Sequence, residues 1–329
     1  MSAEAKVSEA KYSKEIGKRL RRIGIMLRRL LRFELLLPLL AGCAYHSQQI
    51  PTASGTANPE RKSVRIFSRS DGDVTRIFVE NNELAEVTIS FHYALTNLKS
   101  STTLPLTATF PPNQVTEAFS VTPLDPNVPW HYTYTNYHYL GSAEAVHDDT
   151  YLYSLPYATG RAYKVSQAYG GSFSHGGANQ YAIDWRMPEG TPVHAARGGL
   201  VVKTKDSSDQ GGPSVAFDKF NNYVIIRHTD GTMGHYCHLQ KGSVQVQEGD
   251  WVNDGDLLAR SGNTGFSTGP HLHFSVFKAK SGKERVSIPV RFRTRNGATT
   301  LWQGDKYTAL PSPAATHSDV AIATTEPKL

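Results

Sequence analysis

Short alternating runs dominate the middle of the chain. Val87, Ile89 and Phe91 alternate with Thr88, Ser90 and His92, and Trp130, Tyr132 and Tyr134 alternate with His131, Thr133 and Thr135. Period-two burial of this kind predicts half-buried β-strands, because successive side chains of a strand point to opposite faces. Turn-forming clusters at Ser70-Asp71-Gly72, Asn81-Asn82 and Pro111-Pro112-Asn113 separate the runs. Several short strands at this spacing predict a small β-sandwich over residues 63–140. Further along, YVIIRHTDGTMGHYCHL reads as two apolar-alternating strands joined at Asp230-Gly231, a strong hairpin signal. The chain is therefore expected to be mainly β: a small N-terminal β-sandwich-like domain followed by an antiparallel β-sheet domain.

The N-terminus has a different pattern. A basic stretch precedes a short apolar run, Leu35 to Leu40, and then Leu40-Ala41-Gly42-Cys43. A run this short is far below the ~20 residues a membrane-spanning helix needs, and it fits a cleaved secretory signal. Small residues before a Cys resemble the lipobox of bacterial lipoproteins, which implies lipidation of Cys43 and anchoring to a membrane. Ala44 after it implies an outer-membrane location facing the periplasm. Met26 is a workable start for such a signal. The expected organisation is a signal peptide over 1–42, a lipidated tether over 43–62, the sandwich over 63–140, a linker over 141–162, a second domain over 163–308 and a disordered tail over 309–329.

Charge and cysteine content narrow the function classes. The net charge is +6, but residues 1–42 hold ten Lys/Arg and four Glu, a local +6, which leaves 25 basic against 25 acidic residues elsewhere. A nucleic-acid partner would need a basic face on the folded part, so none is expected. Cys43 and Cys237 are the chain's two cysteines, which excludes a disulfide framework unless they pair.

Four segments carry candidate chemistry. In GPHLHF, His271 and His273 lie two apart on a strand and share a face, about 7 Å apart along the chain. In SHGGANQYAID, His175 and Asp184 are donors of the type zinc accepts, and YAID reads as a strand delivering Asp184. In the hairpin, alternation puts Tyr236 and His238 on one face with His235 and Cys237 on the other. Cys237 is thus read as packing, and His228 and His235 as ordinary strand histidines. In GDWVNDGDLLARSGNTGFSTG, Gly-Asp turns flank a short strand and a Gly/Ser/Thr/Asn loop leads into His271.

Taken together, these segments resemble the lysostaphin- and LytM-type zinc metallopeptidases, over roughly residues 163–280. The resemblance implies a Zn2+ cofactor held by His175, Asp184 and His273, with His238 and His271 assisting catalysis. It implies hydrolysis of peptide cross-links in bacterial peptidoglycan. The family's commonest pattern has three residues between its first His and its Asp, whereas eight intervene here. The alternative in the same family is a non-catalytic envelope lipoprotein that regulates cell-wall amidases. The GDWVNDGDLLARSGNTG stretch also resembles biotinyl/lipoyl carrier hairpins, but no Lys stands at the tip to be modified. An adhesin or wall-binding protein, acting through residues 63–140, is a third reading.

Overall fold

The structure is a computed structural model that describes residues 63–312; the expected signal segment, Cys43 and the tether lie outside the described residues. The first seven strands are β1 (Val64–Asp71), β2 (Val74–Asn81), β3 (Val87–Thr96), β4 (Leu98–Ser100), β5 (Leu106–Phe110), β6 (Gln114–Pro123) and β7 (His131–Leu140). They form two antiparallel sheets, ordered β1-β2-β6-β4 and β5-β3-β7. Alternation explains the burial: Thr75, Ile77, Val79 and Asn81 of β2 point inward, as do Val87, Ile89 and Phe91 of β3. Ile77, Val79, Val87, Ile89 and Phe91 meet Leu98, Phe110, Phe119 and Val121 in one apolar core. Phe91 sits at its centre, edge-on to Phe110 and Phe119 at 5.9 and 5.5 Å between ring centroids.

The rest of the chain supplies β8 (Leu152–Tyr153), β9 (Ala162–Gln167), β10 (Ile183–Arg186), β11 (Pro192–His194), β12 (Gly199–Lys205), β13 (Gly211–Gly212) and β14 (Tyr223–Arg227). These are followed by β15 (Met233–Cys237), β16 (Trp251–Val252), β17 (Leu257–Arg260), β18 (Gly265–Phe266), β19 (His271–Ala279) and β20 (Arg285–Ile288). Three short strands end the fold: β21 (Arg291–Thr294), β22 (Gly297–Thr299) and β23 (Lys306–Thr308). A nine-stranded sheet runs β16-β12-β14-β15-β19-β10-β9-β23, with β20 paired to β19. One face buries Val224, Ile226, Tyr236, Phe274, Val276 and Trp185 in a large core. Burying a side chain of this size is worth roughly 1.5–3 kcal/mol, so this face contributes much of the stability. Tyr153, Leu155 and Tyr157 of the segment expected to be a linker are buried in that same core, and so is Ala309 at the start of the expected tail.

The opposite face of the sheet carries two things at once. Its histidine-bearing end is the candidate site described below. Its other end receives the sandwich, where Ala85 packs with Val202, Ile225, Met233 and Phe277 and Tyr139 stands edge-on to Phe277 at 6.4 Å. Gly282, in the turn between β19 and β20, is pressed against the sandwich: a Cβ there would lie 2.1 Å from the Tyr137 carbonyl oxygen. Its N–H donates to Ser90 Oγ at 3.0 Å. Arg227 grips Glu86 with both Nε, at 2.7 Å, and Nη2, and Lys203 reaches Glu83 at 3.3 Å. Burial alone would raise the Glu86 pKa, but the hydrogen bond and charge of Arg227 outweigh it and hold the carboxyl below its ordinary value.

A carboxyl lowered on folding stabilises the protein above its unfolded pKa and loses that contribution as pH falls through the folded value. Taking the unfolded value as about 4.3, the Glu86 contribution is full near neutrality and fades below about pH 5. Glu86→Gln is therefore expected to be less stable than the parent at pH 7 and to show a shallower loss of Tm between pH 5 and pH 3. Parallel Tm–pH curves for the two proteins would contradict this.

Candidate metal centre and catalytic site

Strand pairing brings the first two candidate ligands together. β10 runs antiparallel to β19 in a register that sets Asp184 directly opposite His273, and directly opposed residues share a face. His273 Nδ1 lies 2.8 Å from Asp184 Oδ1. His175 arrives from the loop between β9 and β10, with Nε2 3.1 Å from the same oxygen. The three donor atoms lie within 4.8 Å of one another, and all three residues are buried.

The tautomer of His175 decides what this cluster can do. Its Nδ1–H donates to the Ala168 carbonyl at 2.8 Å, so Nε2 carries a lone pair towards a carboxylate oxygen. In the neutral ring two acceptors then face each other across 3.1 Å, and His175 Nε2 is a buried atom with no hydrogen-bond partner. Leaving such an atom unmatched costs roughly 1–3 kcal/mol. A cation between Nε2, Asp184 Oδ1 and His273 Nδ1 removes the conflict, and two imidazoles with one carboxylate are a donor set of the zinc type. Burial alone would raise the Asp184 pKa, the hydrogen bond from His273 opposes it, and the carboxyl lies below the usual range.

Gln167 of β9 holds this geometry, and the sequence offered no sign of it beyond the alternation that pairs Val165 with the core. Its Nε2 donates to Asp184 Oδ2 at 2.9 Å and to Ser174 Oγ at 2.8 Å. Its Oε1 accepts from the N–H of Phe173 and Ser174 at 3.1 and 3.2 Å. One amide thus fixes both the aspartate and the loop that carries His175. Gly171 makes room, since a Cβ there would sit 2.2 Å from Gln167 Cγ.

The eight residues between His175 and Asp184 close a 3-10 turn, Gly177–Asn179, tied to β20 by Tyr181 N–H to Ser287 Oγ at 3.0 Å.

His238 and His271 complete the group. Their ring centroids are 4.5 Å apart, and His238 lies 5.8 Å from His273. His271 Nδ1–H donates to the Gly269 carbonyl at 2.8 Å and His238 Nδ1–H to the Thr264 carbonyl at 2.7 Å. Each ring therefore presents a bare Nε2; that of His271 is 3.9 Å from Asp184 Oδ2. Burial, then the neighbouring His271 and His273, push the His238 pKa down to about 3, so it is neutral at physiological pH.

The hairpin does not face as alternation predicts. Tyr236 lies in the core, its hydroxyl accepting from Ala196 N–H at 2.8 Å, whereas His235, Cys237 and His238 all line the cleft. Alternation holds through Cys237 and then breaks, because His238 adopts φ = 62°. This left-handed residue turns its side chain onto the face that Cys237 already occupies, and Asn221 Oδ1 secures its N–H at 2.9 Å. Cys237 is buried, with Sγ 3.2 Å from His235 Nε2, and it is not one of the three clustered donors. His228 sits apart, buried against Thr232 Oγ1 at 2.9 Å.

Comparison with known proteins agrees with this geometry. Residues 178–286 match the family model described as Peptidase family M23; that span includes Asp184, His238, His271 and His273 and begins three residues after His175. An uncharacterized metalloprotease of Buchnera aphidicola subsp. Baizongia pistaciae is 37% identical over 113 residues, covering 34% of this chain and 26% of that protein. Peptidoglycan DD-endopeptidase ShyA of Vibrio cholerae is 40% identical over 93 residues, 28% of this chain and 19% of ShyA. Lysostaphin of Staphylococcus simulans is 31% identical over 167 residues, 46% and 32% of the two chains. The chain thus spans about a third or less of the length of these relatives. Over residues 178–286 the chain is thus similar to the metallopeptidases of peptidase family M23.

Proposed function

We propose that the chain is a zinc-dependent endopeptidase that hydrolyses peptide cross-links of bacterial peptidoglycan. The observation that carries this reading is the buried, unmatched Nε2 of His175 facing Asp184 and His273, with two bare imidazole nitrogens beside them. The name of ShyA, a peptidoglycan DD-endopeptidase, supports the substrate class. All five side chains of the resembled site are filled, which favours hydrolysis over a purely regulatory role.

In this reading His175, Asp184 and His273 would hold the ion. A bound zinc would supply Lewis acidity and lower the pKa of water from 15.7 towards about 7. The chain's own residues handle the protons. With Nδ1–H of each ring committed to a backbone carbonyl, Nε2 is the atom through which His238 and His271 act. These nitrogens orient the attacking water and take its proton as the oxygen bonds to the scissile carbonyl carbon. The protonated imidazole stabilises the developing oxyanion and passes the proton to the leaving amine as the C–N bond breaks. No carboxylate base is required.

The N-terminal pattern supports an envelope location with a lipid at Cys43. Several acyl chains at about 0.8 kcal/mol per buried methylene would hold the protein to a membrane.

Purified chain is expected to release cross-linked fragments from isolated sacculi, with release abolished by a chelator and restored by zinc. Asp184→Ala is expected to lose both metal and hydrolysis. His271→Ala keeps about one zinc per chain by elemental analysis while its rate falls at least about 100-fold. A folded Asp184→Ala protein with full activity would rule out the ligand set. For the anchor, a labelled fatty acid should be incorporated into the expressed chain and not into Cys43→Ala; equal labelling of both refutes lipidation there.

A further inference from the structure

The site opens into a cleft of about 610 Å³ that runs from His238 and His273 along the same sheet face to the sandwich, which closes its far end with Glu83 and Tyr139. Arg285, the first residue of β20, lines this cleft. Its guanidinium is set in place by three neutral groups. Nη1 donates to His235 Nδ1 at 2.9 Å and Nη2 to Asn179 Oδ1 at 2.6 Å. The charge lies 4.7 Å from the centroid of the Phe277 ring. No ion pair to it occurs among the described residues, in contrast to Lys203 in the same cleft, which meets Glu83 at 3.3 Å.

His235 shows that this placement is built rather than incidental. Because Arg285 is always a donor, His235 must accept at Nδ1 and keep its proton on Nε2, which points at Cys237 Sγ 3.2 Å away. A half-buried imidazole, fixed in one tautomer, thus orients a cation. Two of the five guanidinium N–H bonds are used, leaving three for a ligand. A half-buried, aromatic-backed arginine with a rigid fork and no acid of its own is suited to a planar anion.

We propose that Arg285 seats a carboxylate of the substrate peptide, making it a specificity residue of the cleft rather than part of the hydrolytic group. The proposal rests on the cleft being the peptidase site argued above. The carboxylate has two possible sources in a cross-linked stem peptide, an internal acidic group and a free chain terminus, and the chemistry at Arg285 is the same for both.

The test uses the full zinc-loaded chain and three synthetic cross-linked stem-peptide fragments: unmodified, amidated at the termini, and amidated at the internal carboxylates. The parent is expected to lose about tenfold or more in kcat/KM on one amidated fragment, and that fragment identifies the source. Arg285→Gln should fall at least about tenfold on the unmodified fragment and treat all three alike. Arg285→Lys, which restores the charge without the fork, should recover part of the discrimination. Arg285→Gln discriminating as the parent does would overturn the proposal, as would Arg285→Lys and Arg285→Gln both matching the parent on every fragment. Calorimetric binding of the unmodified fragment separates this from the reading beneath it. If the parent cuts nothing yet binds at least tenfold more tightly than Arg285→Gln, the hydrolase reading fails and the carboxylate seat stands; equal binding overturns the seat.

Discussion

The register of β10 against β19 is the constraint on which the site depends. It sets a carboxylate opposite an imidazole on the cleft-side face of a sheet whose other face is a large aromatic core. A slip of one residue would turn Asp184 into that core and Trp185 out of it. Trp185 is fully buried and stands edge-on to Phe292 at 5.8 Å, so core packing enforces the register that the chemistry needs. Stability and function meet in one pair of strands.

Around that pair, every other polar group of the site is held through the nitrogen or oxygen it does not need for chemistry. Ala168, Thr264 and Gly269 carbonyls take the Nδ1 protons of His175, His238 and His271. Gln167 takes the second oxygen of Asp184. Each bond selects a tautomer or a rotamer and leaves one lone pair directed inward, which is how a buried cluster of acceptors comes to favour a cation. Burying a carboxylate costs several kcal/mol when it is unmatched, and a divalent ion is the partner that matches all three donors at once.

Much of this was legible in the sequence, for physical reasons that can be named. The strand character of residues 87–91 and the Asp230-Gly231 hairpin follow from alternation and turn chemistry, which are local. His271 and His273 sharing a face is likewise a property of any strand. The facing of His238 was not legible, since period two cannot foresee a left-handed residue whose conformation is secured by Asn221, seventeen positions earlier. Gln167 was hidden because its role exists only once β9 lies beside β10. Residues 151–157 looked like a linker because Tyr153, Leu155 and Tyr157 show no long periodic run, yet they fill the core of the domain they precede. Arg285 was silent for the same reason as Gln167: its partners His235 and Asn179 are distant in sequence.

The most direct test of the central claim is an anomalous difference map, recorded at the zinc absorption edge, from a crystal of the zinc-loaded protein. The account predicts a single strong peak in the site, about 2.0–2.2 Å from His175 Nε2, an Asp184 carboxylate oxygen and His273 Nδ1. A peak bound through His238 or His271 in place of His175, or no peak among these side chains at full zinc loading, would contradict it.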